Sequence, residues 1–186
     1  MPLIESPVIT EEVWARYNDV NKGRLLAAVF HLSEDEREVV LKGTVERGSG
    51  VWGKFEALFD PQYIAWAAVN FPYMTDSGGR RDKFLMVRWV PDTISRSTMK
   101  ETVRIKTAGV MLAGDLIGAF DRDGAKKLQA NDPSDLDVFS VLEFVSKFER
   151  DKVVRASVEP LAGPPPMEKD ERTKGGEEES ASKTSE

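Results

Sequence analysis

The sequence predicts an α/β (α+β) fold: a central mixed sheet of five to six strands sandwiched between helices. Three observations carry this. Apolar residues recur at helical spacing near both ends of residues 10–150, short runs of strand character lie between them, and glycine, proline or acidic turn clusters punctuate the boundaries.

Taken in order, Thr10 can cap a helix with Val13, Trp14, Tyr17 and Val20 on one face, ended by Gly23. Leu25 to Leu32 is continuously apolar and reads as a buried strand. Glu38 to Glu46 alternates polar and apolar residues and reads as its half-exposed partner, with the Ser33-Glu34-Asp35-Glu36 turn between them. Trp52, Phe55, Leu58 and Phe59 give a short helix over 51–59, stopped by Asp60-Pro61. Strands follow at 63–71 and 83–90, joined by a loop containing Asp76-Ser77-Gly78-Gly79. A long helix is expected over about 95–116, weakened at Gly109 and Gly114, then a turn at Asp121-Arg122-Asp123-Gly124 and a short strand at 126–130. Asp132 as N-cap, Pro133 at the first helical position and Asp135 in the first turn introduce a last helix. Its apolar stripe is Val138, Val141, Leu142, Val145 and Phe148.

The composition sets limits on function. The chain has 186 residues, a formal net charge of −6 and no cysteine. That balance argues against a protein held to nucleic acid by overall charge, and it removes disulfides and thiolate metal sites. No stretch approaches the roughly 18 apolar residues of a membrane span, and residues 1–10 lack a secretory pattern, so a cytoplasmic protein is expected. From about Arg155 the chain turns to proline, glutamate, lysine and serine. One domain over 1–150 and a disordered tail over 151–186 are therefore expected.

Signals for catalysis are weak. Gly48-Ser49-Gly50-Val51-Trp52-Gly53-Lys54-Phe55 matches GxGxxG and nearly completes a phosphate-binding GxxxxGK[ST] loop, but Phe55 stands where a hydroxyl must reach magnesium. The alternating strand before it also differs from the continuously apolar strand that feeds such loops, and a plain turn and helix start is the simpler account. His31 is the sole histidine, too little for a relay or zinc site, and Asp121 to Gly124 opens like a calcium loop without its later ligands. No enzyme activity, cofactor or metal is expected.

Basic residues gather locally against the acidic trend. Arg80, Arg81 and Lys83 enter the fourth strand together; Arg96, Lys100 and Arg104 repeat at i, i+4 and i+8 on one face of the long helix. Such surfaces steer acidic partners, and the alternative is an ordinary solvated face.

Several segments resemble the actin-depolymerising-factor homology family, which shares a gelsolin-like fold. Lys83-Phe84-Leu85-Met86-Val87-Arg88-Trp89-Val90-Pro91-Asp92 is similar to its fourth strand, and Lys127 to Asp132 with Asp135-Leu136 to the last-helix entry of its cofilin branch. Met99 lies near the start of the long helix, as in the family's actin-facing helix. The resemblance spans roughly residues 8–149. Arg80 to Phe84 looks most like coactosin, where a lysine matching Lys83 is implicated in filament binding. The resemblance thus implies an actin partner, filament preferred over monomer, contacted by Arg80, Arg81, Lys83, Arg96, Met99, Lys100 and Arg104. It also implies a place in the actin cytoskeleton; the sequence leaves the oligomeric state open, with a monomer favoured. Thr98 replaces the basic residue that cofilins carry before that methionine, and only Ser6 approximates their N-terminal serine, which favours a filament binder over a severing factor. The competing expectations are cofilin-like monomer binding and severing, an adaptor docking a non-actin partner, and nucleotide binding at Gly48 to Lys54.

Overall fold

The computed structural model describes residues 7–35, 37–92 and 113–163. They form six strands and five α-helices in chain order, among them β1 (Val8–Ile9), α1 (Glu11–Asn21), β2 (Leu25–Leu32), β3 (Glu38–Glu46) and α2 (Trp52–Glu56). β4 (Ala65–Met74) and β5 (Arg80–Trp89) follow; a π-helical turn (Ala113–Ile117) leads into α3 (Gly118–Arg122), then β6 (Lys126–Ala130) and α4 (Val138–Ser146). A 3-10 turn (Arg155–Ser157) and α5 (Glu159–Ala162) come last.

The sheet order is β1-β3-β2-β4-β5-β6, antiparallel through the middle and parallel at both edges, where β1 runs with β3 and β6 with β5. The mixed sheet expected from the sequence is therefore present with six strands. The addition is β1, two residues that carry no strand pattern of their own and are held by pairing with Glu38 and Val39.

Two apolar layers sandwich the sheet. On one face Val13, Tyr17 and Val20 of α1 and Leu116, Ala119 and Phe120 pack on Ala28, Phe30, Trp66, Ala68 and Met86. On the other, α2 and α4 cover Val29, Ala67, Val69, Leu85, Val87 and Trp89 through Trp52, Phe55, Val141, Leu142 and Val145. Alternate residues of Ala65–Val69 in β4 and Leu85–Val87 in β5 thus serve opposite layers, which explains why these stretches are apolar without a polar face.

Several local expectations change. The β4–β5 strands pair in unbroken register from Ala65 with Trp89 to Met74 with Arg80, so the hairpin reaches three residues further at β4 and three earlier at β5 than the apolar runs suggested. Asp132 caps only a 3-10 turn (Pro133–Leu136); the helix proper starts at a second cap, Asp137, whose carboxylate accepts from the amides of Phe139 and Ser140. That helix ends at Ser146, so Phe148 leaves the buried stripe and stands 44% exposed. The long helix expected at 95–116 lies mostly outside the described residues.

The boundary expected at 150 falls too early. Lys152 to Gly163 forms a strap that bonds to the β4–β5 hairpin and the β3–α2 turn: Asp76 N to Lys152 O at 2.9 Å, Val154 N to Met74 O at 2.9 Å, and Gly50 N to Pro160 O at 2.8 Å. It buries Val158 and Leu161 against the α2–α4 layer. Two well-placed apolar side chains suffice to anchor a segment whose composition otherwise resembles solvated chain. Residues 164–186 lie outside the described part.

Candidate functional site

Three of the basic residues singled out in the sequence, Arg80, Arg81 and Lys83, lie at the turn end of the β4–β5 hairpin, Arg80 and Arg81 in the part added by the extended pairing of β4 with β5. Alternation along β5 separates them. Arg81 and Lys83 share the parity of Leu85 and Val87 and meet the chain leaving α4; Arg80 and Asp82 have the other parity.

Glu149 is the organising acid. Arg81 Nη1 donates to its Oε2 at 2.8 Å, Lys83 Nζ forms an ion pair with its Oε1, and Arg81 Nη2 also reaches Asp151 Oδ2 at 3.1 Å. The Glu149 side chain is only 5% exposed, against 21% for Lys83 and 45% for Arg81. Hydrogen bonds from Lys83 and then from Tyr73 hold the Glu149 carboxyl below the usual glutamate range, despite its partial burial. Burial, followed by the Glu149 contact, pushes the Tyr73 phenol above its ordinary value.

Arg81 and Lys83 therefore already carry an intramolecular acid, whereas the sequence suggested free basic contacts. Arg80 is different: its exposed side chain makes no hydrogen bond or ion pair among the described residues. Around this end stand Met74, 41% exposed, Phe148 with Lys126 Nζ 5.2 Å from its ring centroid, and the exposed Arg150. The hairpin end is thus a mixed surface of bases and apolar side chains, a combination suited to protein contact. Arg96, Met99, Lys100 and Arg104 lie outside the described residues.

Beside Arg80 a groove of about 390 Å3 runs between the β3–α2 turn and the strap. Sequence reasoning missed it because one side of it comes from Ser157, Pro160 and Leu161, in the segment read as tail. Arg47 lines it too, bonded to Asp82 at 3.3 Å through Nη1, while its shielded Nε and Nη2 have no hydrogen-bond partner.

The glycine-rich stretch does not form a phosphate cradle. The Gly50 amide is spent on the Pro160 carbonyl, Val51 precedes α2 with no side-chain cap, and α2 is five residues long. Trp52 of that helix turns inward and donates Nε1–H to the Leu136 carbonyl at 2.8 Å, so the motif serves the core. Among the described residues no three His, Cys, Asp or Glu side chains gather as a metal site, and no helix is long and apolar enough to cross a membrane.

The family described as cofilin/tropomyosin-type actin-binding protein matches residues 7–146. The chain belongs to this cofilin/ADF family. A cofilin from Gibberella zeae is 30% identical over 121 residues, which span 61% of this chain and 65% of that cofilin's own length. Solved structures share the fold. Streptomyces griseoflavus cofilin superposes with a TM-score of 0.58 at 22% identity, covering 75% of this chain and 97% of its own. Coactosin from Entamoeba histolytica gives 0.60 at 16%, covering 76% and 96%, and human coactosin-like protein 0.58 at 17%, covering 76% and 98%. The family match stops at Ser146, so Glu149, Asp151 and the strap lie just beyond the segment that cofilins define here.

Proposed function

We propose that this cofilin-family chain binds actin, with filaments preferred over monomers, and regulates filament stability or turnover without catalysis, in the cytoplasm. The observation that carries the reading is the hairpin end itself: three bases within four residues, Arg80, Arg81 and Lys83, next to exposed Met74 and Phe148, in a member of an actin-binding family. Arg80 serves as the free charge. Arg81 and Lys83, fixed by Glu149, present their charge in a set direction, which lowers the ordering cost of contact. Arg96, Met99, Lys100 and Arg104 supply further cationic and apolar contacts in this reading. The protein acts as a monomer in this reading.

High-speed co-sedimentation with filamentous actin tests it. Salt-sensitive pelleting that Arg80→Ala weakens supports the reading; absence of pelleting at low salt removes it and leaves an adaptor for a non-actin partner.

A second reading has one specific observation in its favour, the 30% identity to a cofilin, which exceeds the 16–17% to coactosins. Cofilin-like activity would appear as monomer binding and filament shortening in the same preparation, and filament binding without either separates the two.

A further inference from the structure

The groove between the β3–α2 turn and the strap has a chemistry that the actin reading does not use. Its walls are apolar, from Leu26, Pro72, Met74 and Leu161, while Arg47 and Arg80 supply two guanidinium groups. Arg80 has no side-chain partner among the described residues. Arg47 keeps Nε and Nη2 shielded and unbonded, with Nη2 lying 3.3 Å from Asp82 Oδ2 without making a hydrogen bond to it. Arg80 carries its charge with no acid beside it among the described residues, and a carboxylate entering the groove would pair with it. The amides of Gly48 and Ser49 on its rim are likewise free of backbone partners among the described residues.

The chain itself carries a suitable occupant. Gly163, where the described strap ends, lies against the β3–α2 turn: a Cβ built on it would sit 3.1 Å from Gly50 Cα. Residues 164–186 hold seven acidic and four basic side chains, with three consecutive acids at Glu177-Glu178-Glu179. We propose that the Glu177–Glu179 run occupies this groove intramolecularly, its carboxylates on Arg47 and Arg80.

Reach and concentration both permit this. Thirteen residues lie between Gly163 and Glu177. A tether of that length can span about 20 Å, and short tethers give effective concentrations in the millimolar range. Since Arg80 also belongs to the candidate actin surface, an acidic partner and the tail compete for it.

The test uses the full chain without actin, so its outcome stands apart from the filament reading. With no native cysteine, Ser180→Cys takes a single nitroxide label, and amide line broadening is measured in nitrogen-15-labelled protein. The expected result at low salt is broadening at Ser49, Met74 and Arg80 in excess of that at Lys127 on β6. It should be lost at about 0.5 M salt, where screening is short-ranged. It should also be lost in Arg80→Gln and in the triple variant Glu177→Gln, Glu178→Gln, Glu179→Gln. Absence of excess broadening overturns the proposal. Broadening that survives in the charge variants overturns its electrostatic basis, and broadening only between labelled and unlabelled molecules in a mixture places the segment on a second copy instead.

Discussion

Lys83 is bound to Glu149, and the carboxylate it neutralises is almost wholly withdrawn from solvent. A residue that looks from the sequence like a free surface charge is thus part of what holds the end of α4 to the central hairpin. Removing it strands an acid: Lys83→Ala should cost about 1–2 kcal/mol of stability, below the value for a fully buried pair because Arg81 and Tyr73 still serve Glu149. Chemical denaturation measures this. If Lys83→Ala also weakens actin pelleting, the Lys83→Arg variant should recover both properties, and stability without binding would restrict the lysine to the scaffold.

The pH dependence follows from the same acid. The folded pKa of Glu149 is depressed relative to its ordinary 4.5, so its contribution is fully present above the unfolded value. It is lost as pH falls through the lower folded value. Melting curves of the wild type and Glu149→Gln should therefore differ at neutral pH and converge in acid. A constant difference down to strongly acidic pH would show that the charge of Glu149 plays no part.

The strap should behave as core. Val158 is fully buried, and Val158→Ala should lower stability by about 2 kcal/mol from lost apolar contact and the cavity left behind. Arg155→Ala, an exposed neighbour over the Phe139 ring at 4.1 Å, should cost under about 1 kcal/mol. Thermal melts of the pair rank the two, and equal effects would contradict the anchoring role of Val158.

Trp52 provides a buried test of the glycine-rich turn. Trp52→Phe keeps an aromatic against Phe55 and Phe71 but leaves the Leu136 carbonyl without its indole donor, a loss of about 1–3 kcal/mol. Magnesium nucleotide titrated against the wild type should produce no calorimetric signal at millimolar concentration, since the Gly50 amide is already committed.

Much of this architecture is legible in residue pattern. The α1 face, the β2–β3 pair and the α4 stripe declare themselves through period and capping residues, and the fourth-strand motif from Lys83 to Asp92 carries the family. The site is less legible because its logic is long-range. Nothing near Lys83 in sequence announces Glu149, and Asp137 hides behind the stronger cap signal at Asp132. Arg47, Arg80 and Pro160 meet only after three separate turns converge. The strap was obscured by averaging: two anchors, Val158 and Leu161, are diluted among prolines and charges that hydropathy weighs equally.

The strap also sets an order on the life of the chain. It is translated after everything it covers, so a growing polypeptide can assemble the sheet and α4 while Leu26, Trp52 and their neighbours still lack their last apolar partners. Synthesis proceeds at roughly 5–20 residues per second, so that incomplete flank persists for about a second before the closing residues arrive. Released chains truncated between Ser146 and Val158 should be the ones that attract chaperones.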